Sequence, residues 1–393
     1  MSHLMNTYAR LPVAFVRGEG SRVVDSNGKH YLDALSGIAV NTLGHAHPDL
    51  VAAIADQAGC LLHTSNLYEI PLQQALAERL TGLAGMDEVF FCNSGCEANE
   101  AAIKLARFYG HQKGVDNPAI IVMEGAFHGR TLATLSATGN RKAQAGFEPL
   151  VGGFHRVPYD DLSAIREVGA HHPEVVAVML EMVQGEGGIH LAGEAFQRDL
   201  RALCDERGWL LICDEVQCGM ARTGTWFGYQ HAGVRPDIVT LAKGLGSGVP
   251  IGACLTSGKA AGLFKPGNHG STFGGNPLAC RAALTTLDVI VRDQLAANAA
   301  TIGERLRDGF RQALAGAAGV VEIRGRGLML GIELDRPCGE LVTRGLAAGL
   351  LINVTADKVV RLLPPLIFTP AQADELVGIL VPIIKQFLSE PKA

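Results

Sequence analysis

Lys243 closes the apolar run Ile238–Ala242 and is followed by Gly244-Leu-Gly-Ser-Gly248, so a primary amine stands at a strand end with open backbone around it. Burial and neighbouring positive charge both lower an ammonium's pKa and free its lone pair, which is what a Schiff-base lysine needs. A lysine snorkelling to the surface from a strand end satisfies the same pattern. Asp214-Glu-Val-Gln217 directly follows another apolar run, Leu210–Cys213. An acid at a strand's carboxyl end lies where open α/β sheets bind ligands. There it can hold a protonated ring nitrogen, and Gln217 can donate to an oxygen on the same ring. Either residue would serve equally as a helix cap in isolation.

Two further segments carry candidate chemistry. In Asn93-Ser-Gly-Cys-Glu-Ala-Asn-Glu100, Ser94 and Glu97 have capping-box spacing, while the amides of Gly95 and Cys96 at the same helix start form a site for a phosphate. Spacing alone leaves both readings open. In Glu124-Gly-Ala-Phe-His-Gly-Arg130, Phe127 can stack on a flat ring, His128 can lie against it, and Arg130 can grip a carboxylate in bidentate fashion. Core packing for the first two and a surface ion pair for Arg130 are the plain alternatives. His45-Ala-His47 lacks the ligand number and spacing of a closed zinc site. It reads as a structural loop, and no metal is expected.

The elements that must position these residues alternate. Val89–Cys92, Ala119–Met123, Val175–Leu180, Leu210–Cys213 and Ile238–Ala242 have the length of buried strands. Between them lie helical patterns such as Pro71–Leu83, with Leu72, Leu76, Leu80 and Leu83 on one face, and a helix from Ser94 to Tyr109 that stops at Gly110. This alternation predicts an α/β fold with a mainly parallel sheet covered on both faces. The last third differs. Strands are expected at Val320–Arg324, Leu328–Leu334, Leu350–Val354 and Val359–Leu363, then a helix capped by Thr369 and started by Pro370 that runs to about Leu388. Residues 1–50 are expected to pack with a smaller α+β domain at 286–393, and residues 51–285 to form the large domain.

A chain of 393 residues has room for more than one domain. With 34 basic against 39 acidic residues and a net charge of -5, it lacks the basic surplus that nucleic acid or an anionic membrane would recruit. Nine cysteines without a CxxC pair read as reduced thiols of a cytoplasmic protein. No apolar stretch is long enough to span a bilayer.

Taken together, these segments resemble the fold-type-I enzymes that use pyridoxal 5'-phosphate (PLP), and specifically the class III aminotransferases. Gly37–Pro48, Asn93–Glu100, Phe127–Thr131, Glu181–Gly188, Asp214–Gln217, Lys243 and Ser271–Pro277 carry the likeness, which runs essentially end to end. The resemblance implies that Lys243 binds the cofactor covalently and then shuttles protons. It implies that Asp214 pairs with the pyridinium, Gln217 with the phenolic oxygen, and Phe127 and Val216 with the ring faces. Gly95 and Cys96 would hold the phosphate through backbone amides, with His128 and Glu215 in the same cofactor set. Thr272 would reach the phosphate in a partner subunit, which makes the enzyme a homodimer with shared sites. Arg130, with Ser271 nearby, would hold the α-carboxylate of the amino donor. Glu186 and Arg361 would form an ion pair that opens when 2-oxoglutarate arrives. Relatives have proline where Met182 stands. Gly37-Ile-Ala-Val40 and Val321–Gly331 resemble the branch whose amino donor is N-acetylornithine. N-succinylornithine, N-succinyl-diaminopimelate and an aminomutase reaction remain alternatives.

Overall fold

The computed structural model describes residues 3–391; the first two and last two residues of the expected terminal segments lie outside that range. Seven strands form the central sheet: β1 (Glu88–Cys92), β2 (Ala119–Met123), β3 (Phe154–Val157), β4 (Val175–Glu181), β5 (Leu210–Asp214), β6 (Ile238–Leu241) and β7 (Gly252–Thr256). Their spatial order is β1-β7-β6-β5-β4-β2-β3. Only β7 runs antiparallel to its neighbours. The carboxyl ends of the other six strands therefore share one edge of the sheet.

The period of two along each strand sorts its side chains into separate cores. Ile120, Val122, Met179, Ile212 and Ile238 point to one face, beneath Ala102, Ile103 and Leu105 of the helix Gly95–Gln112. Ile121, Met123, Val178, Leu180, Leu211 and Val239 point to the other. Full burial of each such aliphatic side chain is worth about 1.5–3 kcal/mol, so both coverings are obligatory. This is why the strands read as continuous apolar runs instead of alternating ones.

A second sheet of four strands, Val320–Arg326, Met329–Leu334, Val359–Leu362 and Asn353–Thr355, is antiparallel throughout. The N-terminal strands Phe15–Glu19, Arg22–Asp25 and His30–Asp33 pair with Leu350–Leu351 in a third sheet. The single strand expected over Leu350–Val354 is thus two short ones in different sheets, because the chain leaves one edge and joins another around Ile352. The helix begun at Ser94 runs through Gly110 to Gln112. A Cβ at Gly110 would meet Pro118 at 2.6 Å, so glycine there permits close packing instead of ending the helix. The closing helix Pro370–Ser389 has the expected Thr369 cap, which Gln372 completes into a capping box.

Candidate active site

Asp214 is the last residue of β5. Its neighbours in register are Thr240 on β6 and Glu181 on β4, which sets a polar row across the shared carboxyl edge. The Asp214 carboxylate is buried and well supplied with donors. Its Oδ2 accepts from Asn99 Nδ2 at 2.8 Å and His128 Nδ1 at 2.7 Å, and its Oδ1 accepts from the Val216 amide at 3.0 Å. Asn99 is fixed in turn by Thr240 Oγ1, which donates to its Oδ1 at 2.7 Å. A carboxylate offers about four acceptor positions. One on Oδ1 therefore remains for a further N–H.

Lys243 follows β6 at φ +44°, a left-handed conformation for a non-glycine residue, which is a local strain of the kind that collects at functional sites. Burial lowers its pKa, and the nearby Arg361 guanidinium lowers it further against the opposing pull of Glu186, Asp214 and Glu181. Both side chains line one cavity of about 440 Å³, together with Gly95, Cys96, Phe127, His128, Arg130, Val216 and Gln217.

The helix Gly95–Gln112 points its amino end into this cavity, with Ser94 Oγ accepting from the Glu97 amide at 3.2 Å. Capping and an open anion site thus coexist, since a cap satisfies only one of the first four amides. A Cβ on Gly95 would meet Val216 at 2.6 Å, so glycine is required where helix start and ring wall converge. The Arg130 guanidinium lies over the Phe127 ring, 5.5 Å from its centre, and is exposed at the cavity mouth. The Arg130 amide donates to Cys96 Sγ at 3.0 Å.

Arg361 comes from the second sheet and is almost fully buried. Its Nη1 donates to Glu186 Oε1 at 2.5 Å and to Gln217 Oε1 at 3.2 Å. That leaves the Gln217 amide nitrogen available to the cavity. Glu215 is directed elsewhere. Its carboxylate accepts from the amides of Gly228 at 2.9 Å and Tyr229 at 3.0 Å, and the residue does not line the cavity. Ser271 Oγ accepts from Asn93 Nδ2 at 3.1 Å behind the cavity wall, and Thr272 is exposed on its loop.

Three supporting residues were not assigned from the sequence. Asn99 lies one helical turn past Gly95 and faces the sheet, and Thr240 is a lone polar residue inside an apolar strand. Glu181 accepts from the amides of Phe127 at 2.9 Å and Gly185 at 3.0 Å. Burial, and then the Asp214 charge beside it, push the Glu181 carboxyl up to about 7.

The sequence pattern of the family Aminotransferase class-III matches residues 4–384. The chain belongs to the class III aminotransferases. It is 60% identical over 388 residues to the acetylornithine aminotransferase of Nitrosomonas europaea, covering 99% of each chain. Among solved structures it is similar to the ornithine aminotransferase of Toxoplasma gondii, in which PLP partly occupies the active site (TM-score 0.94, 33% identity, 99% of this chain and 94% of that one). It is likewise similar to the N-acetylornithine aminotransferase of Stenotrophomonas maltophilia (TM-score 0.84, 38% identity, 97% and 98%).

The cavity fits PLP on its own chemistry. It offers an amine, an acid with one acceptor position left, a helix amino end for the phosphate, and Phe127 and Val216 as apolar walls. A volume of about 440 Å³ is in the range of small-molecule sites.

Proposed function

We propose that this enzyme transfers the distal amino group of N2-acetyl-L-ornithine to 2-oxoglutarate, giving N-acetyl-L-glutamate 5-semialdehyde and L-glutamate, a step of arginine biosynthesis. The observation that carries this reading is the convergence of the Lys243 amine and the Asp214 carboxylate in one cavity, with the Glu186–Arg361 pair against its wall. When bound, PLP supplies an aldehyde for the lysine amine and a ring that takes up electron density from the substrate carbon.

Each protein group then has a task that its position supports. Asp214 keeps the ring nitrogen protonated, and His128 and Asn99 fix the orientation of its carboxylate. Burial and the Arg361 charge lower the Lys243 pKa and so favour its free amine, which can attack a carbonyl and afterwards carry a proton between the substrate carbon and the cofactor. Gly95 and Cys96 hold the phosphate through their amides, and Gln217 donates to the ring oxygen. Arg130 takes the α-carboxylate of the amino donor at the cavity mouth.

Glu186 neutralises Arg361 while a donor reacting through its distal amine presents no carboxylate next to the reacting carbon. The incoming carboxylate of 2-oxoglutarate then replaces Glu186 on the guanidinium. A buried arginine left without either partner would cost several kcal/mol, so exchanging partners avoids that state.

The same reading makes the enzyme a homodimer. Asn66 Nδ2 donates to the carbonyls of Ser271 at 3.0 Å and Gly274 at 2.9 Å, tying two loops into a patch that exposes Leu67, Tyr68 and Phe273 around Thr272. Such a patch suits a protein interface, across which Thr272 reaches the partner's phosphate. The chain then divides into residues 1–50 and 286–393, joined through the third sheet, and the large PLP-binding domain 51–285. Among the described residues no helix is long and apolar enough to cross a membrane, in keeping with a cytoplasmic enzyme. Initial rates with acetylated, succinylated and free ornithine, each with 2-oxoglutarate, test the substrate. The acetylated donor is expected to give the highest kcat/KM, and a higher value for either of the others would reassign it.

A further inference from the structure

We propose that His155, His172 and Glu174 form a binding site for a divalent transition metal, of the Zn2+ or Co2+ class, at the outer edge of the central sheet and separate from the catalytic cavity. The three residues come from three backbone positions that the fold already fixes. His155 lies in β3, the outermost strand, opposite Ile121 of β2. His172 follows the helix Leu162–His171, where its amide donates to the Val168 carbonyl at 2.9 Å. Glu174 precedes β4, and its carbonyl accepts from the Ala119 amide at 2.9 Å.

Their side chains converge on one point. His155 Nε2 stands 3.1 Å, and His172 Nδ1 3.0 Å, from the same oxygen, Glu174 Oε1. The two imidazole rings lie 4.0 Å apart, and the three ligand atoms are all within 4.8 Å of one another. Zinc bonds of about 2.0–2.2 Å at a tetrahedral angle hold ligand atoms roughly 3.3 Å apart. Two of the three separations are therefore within a few tenths of an ångström of the bound geometry.

Two imidazoles and one carboxylate, with a fourth position open to water, are a ligand set for zinc-like ions. Calcium and magnesium prefer oxygen alone. As hydrogen bonds, both ring nitrogens must carry protons and share one acceptor; a cation takes the place of both protons. The side chains are 25%, 42% and 32% exposed, so an ion can enter from solvent without any opening of the fold. The bound ion would clip the turn before β4 to the sheet's edge strand. Its consequence is therefore stability and not turnover.

The test uses holoenzyme stripped of trace metal with a chelator. Zn2+ is titrated in competition with a chromophoric chelator, and Co2+ binding is followed by visible absorption. One Zn2+ per chain, a higher melting temperature with Zn2+, and a Co2+ spectrum without thiolate charge-transfer bands are expected. His155→Ala and His172→Ala should each weaken binding by about tenfold or more and shrink the rise in melting temperature that Zn2+ produces, while leaving the transamination rate unchanged. The assignment is overturned by the absence of stoichiometric Zn2+ binding, by wild-type Zn2+ affinity in both variants, or by a thiolate band that moves the ion to a cysteine such as the exposed Cys60.

Discussion

On the cofactor side of the cavity, Asp214, Asn99, His128 and Thr240 are all buried, come from one sheet, its covering helix and the loop after β2, and hold one another through hydrogen bonds of 2.7–2.8 Å. On the substrate side, Arg130 is exposed, Glu186 is about one-third exposed, and Arg361 reaches in from a different sheet. One half is preorganised by a buried hydrogen-bonded network at the edge of a single sheet. The other is assembled from groups that can exchange partners. The difference follows the chemistry: the cofactor stays through every turnover, whereas two substrates of different shape must use the same space in turn.

If this contrast is right, substitutions on the cofactor side should lower turnover for every substrate, and those on the substrate side should discriminate between substrates. The largest effect is expected from Lys243→Ala, a loss of roughly four orders of magnitude in single-turnover rate for both half-reactions, since the proton carrier is removed. Asp214→Asn should follow, with a roughly hundred- to thousandfold fall in kcat that is again equal for donor and acceptor. Arg130→Ala should raise the KM for acetylornithine roughly 10- to 100-fold, the loss of a charge-assisted pair of about 1.5–3 kcal/mol. Simple ω-amines without an α-carboxylate should be little affected. Glu186→Ala should slow the half-reaction with the amino donor about tenfold and affect that with 2-oxoglutarate less, because only the former leaves Arg361 without a carboxylate. A reversed order would dissolve the proposed exchange of partners.

The smallest effect is one of pH. The Glu181 carboxyl, at about 7 in the folded chain against an ordinary 4.5, binds its proton more tightly when folded. A raised carboxyl destabilises as it ionises, so this contribution is lost as pH climbs through 7. Between about pH 6 and pH 8 the cofactor-free wild type should therefore lose roughly 1 kcal/mol more stability than Glu181→Gln in urea melts.

The cofactor half was the more legible half in the sequence, for the same physical reason that it is rigid. Strands β2, β4, β5 and β6 are buried on both faces and appear as apolar runs, and Asp214 and Lys243 stand at their ends. Strand β3, half-exposed at the sheet edge, gave no such run. Strand β7 (Gly-Ala-Cys-Leu-Thr) is buried but built largely of small residues, with glycine and alanine at its start. Residues whose roles depend on partners distant in sequence were harder. Asn99 and Thr240 are 141 residues apart and are joined only by the fold. The direction of the Glu215 side chain was equally hidden, because adjacency to Asp214 conceals the alternation that turns it toward the amides of Gly228 and Tyr229. The Glu186–Arg361 pair, 175 residues apart, was reached through family resemblance and not through spacing.

The most direct test of the account is borohydride reduction of the purified holoenzyme followed by peptide mapping. The phosphopyridoxyl mass should be found on the peptide containing Lys243, and reduction of Asp214→Asn should label the same residue. Labelling of any other lysine, with Lys243 unmodified, would contradict the assignment on which the rest stands.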